Sequence, residues 1–126
     1  ENIFVGQFIG SPKMNILEIN EKNVISKNTI KLLGNEIQFD NVKLNKSKHF
    51  VGIRPEHLKT NQKTQFTFNP EIELVENLGN EKIIYMRQDE HQLSAKIPSN
   101  VEISNSIGFD INYIFIFDQN GKRVKS

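Results

Sequence analysis

The chain has no cysteine. Disulfides, thiolate catalysis and cysteine zinc sites are therefore excluded, and the composition is compatible with a reducing compartment. No apolar run approaches the roughly 18 residues that a membrane-spanning helix needs. No secretory signal is expected ahead of the first strand. Neither sign of charge is in excess: 16 Lys and Arg against 15 Asp and Glu leave a formal charge of +1. Broad capture of nucleic acid calls for a clustered basic face, whereas these lysines are scattered among asparagines and glutamates. No nucleic-acid partner is expected.

Several catalytic patterns are missing as well. There is no G-x-S-x-G and no H-E-x-x-H. There is no G-x-x-x-x-G-K-[ST], so no P-loop to cradle a nucleoside triphosphate. "NGK" at Asn120 to Lys122 lacks the upstream glycine and the hydroxyl, and reads as a hairpin turn. His49, His57 and His91 are far apart and have no histidine or carboxylate at metal-ligand spacing. They read as surface or strand-end histidines, and no metal, cofactor or catalytic residue is expected.

What the chain does contain is strand and turn. Its 126 residues suit one domain, or one domain with a small appendage, and 37% hydrophobic content supports a core without staples. The opening "NIFVGQFIG" reads as a two-turn helix carrying Ile3, Phe4, Phe8 and Ile9, ended by Gly10 and the extended "SP" that follows. "MNILEIN" reads as a strand, and "NTIKLLGNEIQF" as two strands about a Gly34-Asn35 turn. "KHFVGIRP" is an apolar strand that stops at Pro55, and "TQFTFN" places Phe66 and Phe68 on one face. "EIELVENLGNEKIIYMRQDEHQLSAKIP" holds three strands, with turns at Gly79-Asn80 and Asp89-Glu90 and a stop at Pro98. "GFDINYIFIFDQNGKRVK" reads as one strong strand, a turn at Asn120-Gly121 and a short return. Short strands with turns about every 8–12 residues and no long helical period indicate an all-β barrel or sandwich.

Three features could carry chemistry. Glu71, Glu73 and Glu76 share a strand and could supply an acid–base pair, although alternation makes them the wetted side of a strand whose Ile72 and Leu74 face the core. Phe66 with Phe68, and Phe115 with Phe117, could stack bases on a small barrel, but without basic interleaving they read as core. In "GIRPEHL", Pro55 ends a strand and leaves Arg54, Glu56 and His57 around a turn.

Taken in order, "FVGQFIGSPKMNIL", "VGIRPEHL", "VENLGNEKIIYMR" and "FIFDQNGKRV" resemble the C-terminal region of the ATP-binding subunit of sugar-type ABC importers, the maltose and glycerol-phosphate class. That region is built on a transport-associated OB-fold (TOBE) module. The resemblance implies that residues 1–12 are the end of an ATPase domain and its connecting helix, and that residues 13–126 form an OB-fold-like β-domain. Ile3, Phe4, Phe8 and Ile9 would then pack on an ATPase domain that carries ATP and Mg elsewhere in a longer parent.

It further implies a non-catalytic regulatory and dimerisation role. The partners would be a second copy through the β-domain and, through the parent, membrane permease subunits, which places the protein at the cytoplasmic face of the membrane. Ile16, Gly52, Arg54, Glu56 and His57 match regions that the family uses for regulatory contacts. An alternative is a small-molecule or oxyanion-binding module of the OB type. Such a site needs convergent amides or clustered cations, and Arg54, Arg87 and Arg123 are too dispersed in sequence to be placed together.

Overall fold

The computed structural model describes residues 13–45 and 48–124. The expected N-terminal helix, with Ile3, Phe4, Phe8 and Ile9, lies outside them. Among the described residues thirteen strands follow one another: β1 (Asn15–Ile19), β2 (Val24–Ser26), β3 (Thr29–Leu32), β4 (Asn35–Gln38), β5 (His49–Ile53), β6 (Lys59–Thr60), β7 (Phe66–Phe68), β8 (Glu71–Asn77), β9 (Glu81–Gln88), β10 (His91–Pro98), β11 (Ile107–Phe109), β12 (Ile114–Phe117) and β13 (Arg123–Val124). The only helical pieces among the described residues are single 3-10 turns of three residues. The all-β expectation holds, but the described strands make four separate sheets and no closed barrel.

The chain divides into two compact units, one comprising residues 1–53 and 114–126 and the other residues 54–113. In the first, a four-stranded sheet has the order β1-β5-β12-β13. One face buries the cross-strand row Leu17, Val51 and Ile116, each 1% exposed or less. Asn15 is buried beside that row and donates its side-chain N–H to the Ile53 carbonyl at 2.9 Å. The small β2-β3-β4 sheet pairs Ile30 with Ile37, both buried. Its β3–β4 turn is Leu33-Gly34, one residue before the expected Gly34-Asn35, with φ of 51° and 82°. The Asn35 side chain donates to the Leu33 carbonyl at 3.1 Å, which holds Leu33 in a conformation that otherwise costs about 1–2 kcal/mol.

The second unit holds the β10-β9-β8 and β6-β11-β7 sheets. Leu93 opposite Met86 and Ala95 opposite Ile84 are all buried. Phe109 is fully buried between Phe66 and Phe68, at ring-centroid distances of 5.5 and 6.0 Å. The two phenylalanines do share a face against Phe109, with Phe68 buried in the core and Phe66 half-buried at its margin.

Two sequence expectations fail. "GFDINYIFIF" is not one strand: β11 ends at Phe109 and β12 begins at Ile114. The Asp110 carboxylate accepts the Gln65 backbone N–H, while the Gln65 side-chain carbonyl accepts the Ile111 N–H, each at 2.8 Å. These bonds hold the chain in a 3-10 turn. Nor does Leu74 face a core, since it is 60% exposed. The β8–β9 register shifts between Ile72 and Leu74, so Glu73 is an extra residue that breaks the alternation.

Replacing Phe109 by Ala should cost about 3–5 kcal/mol, because both aromatic contacts and the surrounding packing go together. Denaturant unfolding of the variant would show the loss as a lower midpoint.

Candidate functional site

Gly52 lies at the centre of a cross-strand row, paired with Ile16 on β1 and Phe115 on β12. The row occupies the face of the β1-β5-β12-β13 sheet opposite Leu17, Val51 and Ile116. Ile16, Phe50 and Phe115 are half-buried around the buried Met14 and Phe117. A methyl group on Gly52 would stand 2.5 Å from the Met14 sulfur and 3.0 Å from Phe117 Cε2. The glycine is therefore a notch that lets two side chains fill the space between Ile16 and Phe115. The Arg123 guanidinium lies 4.7 Å from the Phe115 ring centroid, a cation–π contact at the rim. An exposed Lys48–Glu18 ion pair at 3.1 Å carries charge on the same sheet. Such a surface offers apolar burial bounded by charge, which suits a side chain of another protein.

Arg54, Glu56 and His57 stand on the 3-10 turn Pro55–His57, in the second unit. Arg54 and Pro55 supply the carbonyls that accept the His57 and Leu58 N–H groups, at 2.9 and 3.2 Å. The Lys59 ammonium donates to the Glu56 carbonyl at 3.3 Å. Sequence reasoning groups Ile16 and Gly52 with these three residues, but the structure divides the five between the two units. Ile16 and Gly52 come together, and so do Arg54, Glu56 and His57.

His57 stacks on Tyr113, with ring centroids 3.9 Å apart and planes inclined by 25°. Its Nδ1 is buried and has no hydrogen-bond partner among the described residues. Burial lowers the His57 pKa from its usual 6.5, with neighbouring Lys59 and Arg54 adding to the shift and Glu56 opposing it. Tyr113 is not among the sequence candidates. Its distance along the chain gives no signal of the stack.

The carboxylates of β8 do not form an acid–base pair. Glu73 accepts from Arg87 Nε at 3.2 Å and Glu76 accepts from the Tyr85 hydroxyl at 3.1 Å. The Tyr85 pKa is raised, first because the phenol donates to Glu76 and then by desolvation and the Glu76 charge. Among the described residues no three of His, Asp or Glu are grouped so as to hold a metal.

Comparison with known proteins gives one consistent result. The chain is 29% identical over 136 residues to the maltose/maltodextrin import ATP-binding protein of Vibrio vulnificus, across 99% of this chain and 37% of that protein. It is 32% identical over 130 residues to the sn-glycerol-3-phosphate import ATP-binding protein of Psychromonas ingrahamii, across 93% of this chain and 33% of that protein. The alpha-glucoside transport ATP-binding protein of Rhizobium meliloti is 27% identical, across 99% of this chain and 37% of its own length. The chain is a relative of sugar-importer ABC ATP-binding subunits. It spans about a third of the length of these relatives. No family model matches it.

Two outcomes test the geometry. Gly52→Val should destabilise the first unit by about 1–3 kcal/mol through overpacking against Met14 and Phe117, read as a shifted unfolding midpoint. His57 should titrate below 6.5 by nuclear magnetic resonance. An unfolded chain then takes up that proton first, so stability is full above pH 6.5 and is lost as pH falls through the folded pKa. His57→Phe keeps a ring against Tyr113 and should flatten this part of the pH profile; an unchanged slope would contradict the assignment.

Proposed function

We propose that this chain is a non-catalytic regulatory and dimerisation module of the ATP-binding subunit of an ABC importer for sugars or related solutes. The observation that carries this reading is the similarity of nearly the whole chain to about a third of the length of such subunits. The all-β architecture supports a module separate from a nucleotide-binding domain. On this reading a longer parent carries ATP and Mg in its ATPase domain, works beneath permease subunits and lies at the cytoplasmic face of the membrane.

The mechanism is a tether. Two ATPase domains must close on each other for their nucleotide sites to form, and must open again without parting. A lasting contact between the attached β-domains holds them at an effective concentration on the order of millimolar. Closure becomes an intramolecular step, reversible in each cycle. Regulation then requires a partner or effector that binds the open and closed forms unequally. The face around Ile16, Gly52 and Phe115 and the turn at Arg54, Glu56 and His57 are the surfaces for such a contact.

The test is the coding frame upstream of Glu1. A continuous frame that holds a P-loop and accounts for the other two thirds of a relative's length supports the reading. A start codon immediately before Glu1 would sink it and bring small-molecule or oxyanion binding to the front.

A further inference from the structure

Among the described residues five large hydrophobic side chains stand exposed, and three of them, Leu74, Val75 and Leu78, fall together at the end of β8. Among the described residues β8 is an edge strand that pairs with β9 alone, and an edge strand offers its outer backbone groups as a template for another strand. Every residue of the strand except Ile72 is exposed. Natural edges of this length are usually blunted by charge, and β8 carries Glu71, Glu73 and Glu76. Two of these carboxylates are drawn back onto β9: Glu73 to Arg87 at 3.2 Å and Glu76 to Tyr85 at 3.1 Å. Leu74 and Val75, 60% and 40% exposed, are left at the edge.

The same glutamates select what can pair there. Two copies that extend one sheet through a shared edge are related by a two-fold axis perpendicular to it, so one residue faces its own copy. An axis at Glu71, Glu73 or Glu76 would set a carboxylate against itself. An axis at Ile72 would set Glu71 against Glu73. Like charges directly opposite are unfavourable in a sheet. Counted residue for residue, the centres at Leu74 and Val75 oppose no two glutamates, and both set an apolar side chain against its twin. Both also lie in Leu74–Asn77, the part of the strand beyond the bulge.

We propose that β8 is the edge through which two copies of this chain join, antiparallel and centred on Leu74 or Val75. The proposal rests on the homodimer reading above and assigns it a surface.

Sedimentation equilibrium and a cysteine scan test it on the intact chain. The wild type should be dimeric. Leu74→Lys, at an exposed position, should keep the circular dichroism spectrum and raise the dissociation constant at least about tenfold, as burial of an unpaired charge at the axis requires. The chain has no native thiol, so Leu74→Cys or Val75→Cys should give a disulfide-linked dimer on mild oxidation. Gln92→Cys, on the opposite edge strand β10, should not. A dimer that tolerates Leu74→Lys and cross-links at neither position would overturn the β8 edge while leaving dimerisation intact. Equal cross-linking at Gln92→Cys would also overturn it. A wild-type chain that stays monomeric overturns the homodimer reading and this proposal together, and assigns the β8 edge to another occupant.

Discussion

The pairing of β5 with both β1 and β12 is the interaction on which the first unit depends. β5 is central in the four-stranded sheet, and its last residue, Ile53, pairs with Ile114 and with Asn15. Residues 54–113 leave and re-enter the unit from that one paired position. Closing so long a loop is entropically unfavourable, though the penalty grows only slowly with length. It is met by burial: Leu17, Val51, Ile53, Ile114 and Ile116 are each 2% exposed or less. Pro55 explains why β5 stops where it does. It cannot donate to a ladder, and its fixed φ suits the first position of the 3-10 turn that follows.

Both faces of that sheet are apolar, and this makes the Gly52 row a functional candidate as well as a packing feature. A sheet with one wet face would alternate polar and apolar residues along β5. Instead Phe50 and Gly52 share their face with Met14, Ile16, Phe115 and Phe117. The notch at Gly52 lets Met14 and Phe117 sink below the surface. Ile16, Phe50 and Phe115 then stand half-buried around them. Such an apolar face suits recognition of a protein side chain better than capture of a small anion, which needs convergent amides or cations. The nearest charges, Arg123 over Phe115 and the Lys48–Glu18 pair, are already engaged.

Local chemistry is legible in the sequence and long-range geometry is not. Turn residues announce themselves: Gly79, Asp89 and Gly121 all have positive φ, at positions where the sequence alone places turns. The stop at Pro55 and the shared face of Phe66 and Phe68 follow from backbone chemistry and from period two. The break after Phe109 has no such local sign, because it depends on Gln65, whose hydrogen bonds reach Asp110 and Ile111 from a distant part of the chain. The exposure of Leu74 is hidden for a different reason. Period two assumes an unbroken strand, and the extra residue at Glu73 lies in the pairing with β9, not in the pattern of "EIELVEN". Likewise, "GIRPEH" marks Gly52 as unusual, yet only the fold shows that Met14 and Phe117 are what a larger residue would strike.

The two candidate surfaces divide the labour that the proposed function requires. A tether must persist through every cycle, so its contact has to be indifferent to whether attached domains are open or closed. A strand edge suits this, because ladder hydrogen bonds fix geometry and the register is limited by Glu71, Glu73 and Glu76. A regulatory contact must instead discriminate between forms, and its energy is useful only as a difference. That calls for a surface of modest affinity whose removal leaves the tether untouched. The Gly52 face lies in the first unit and β8 in the second, so the two contacts draw on separate cores.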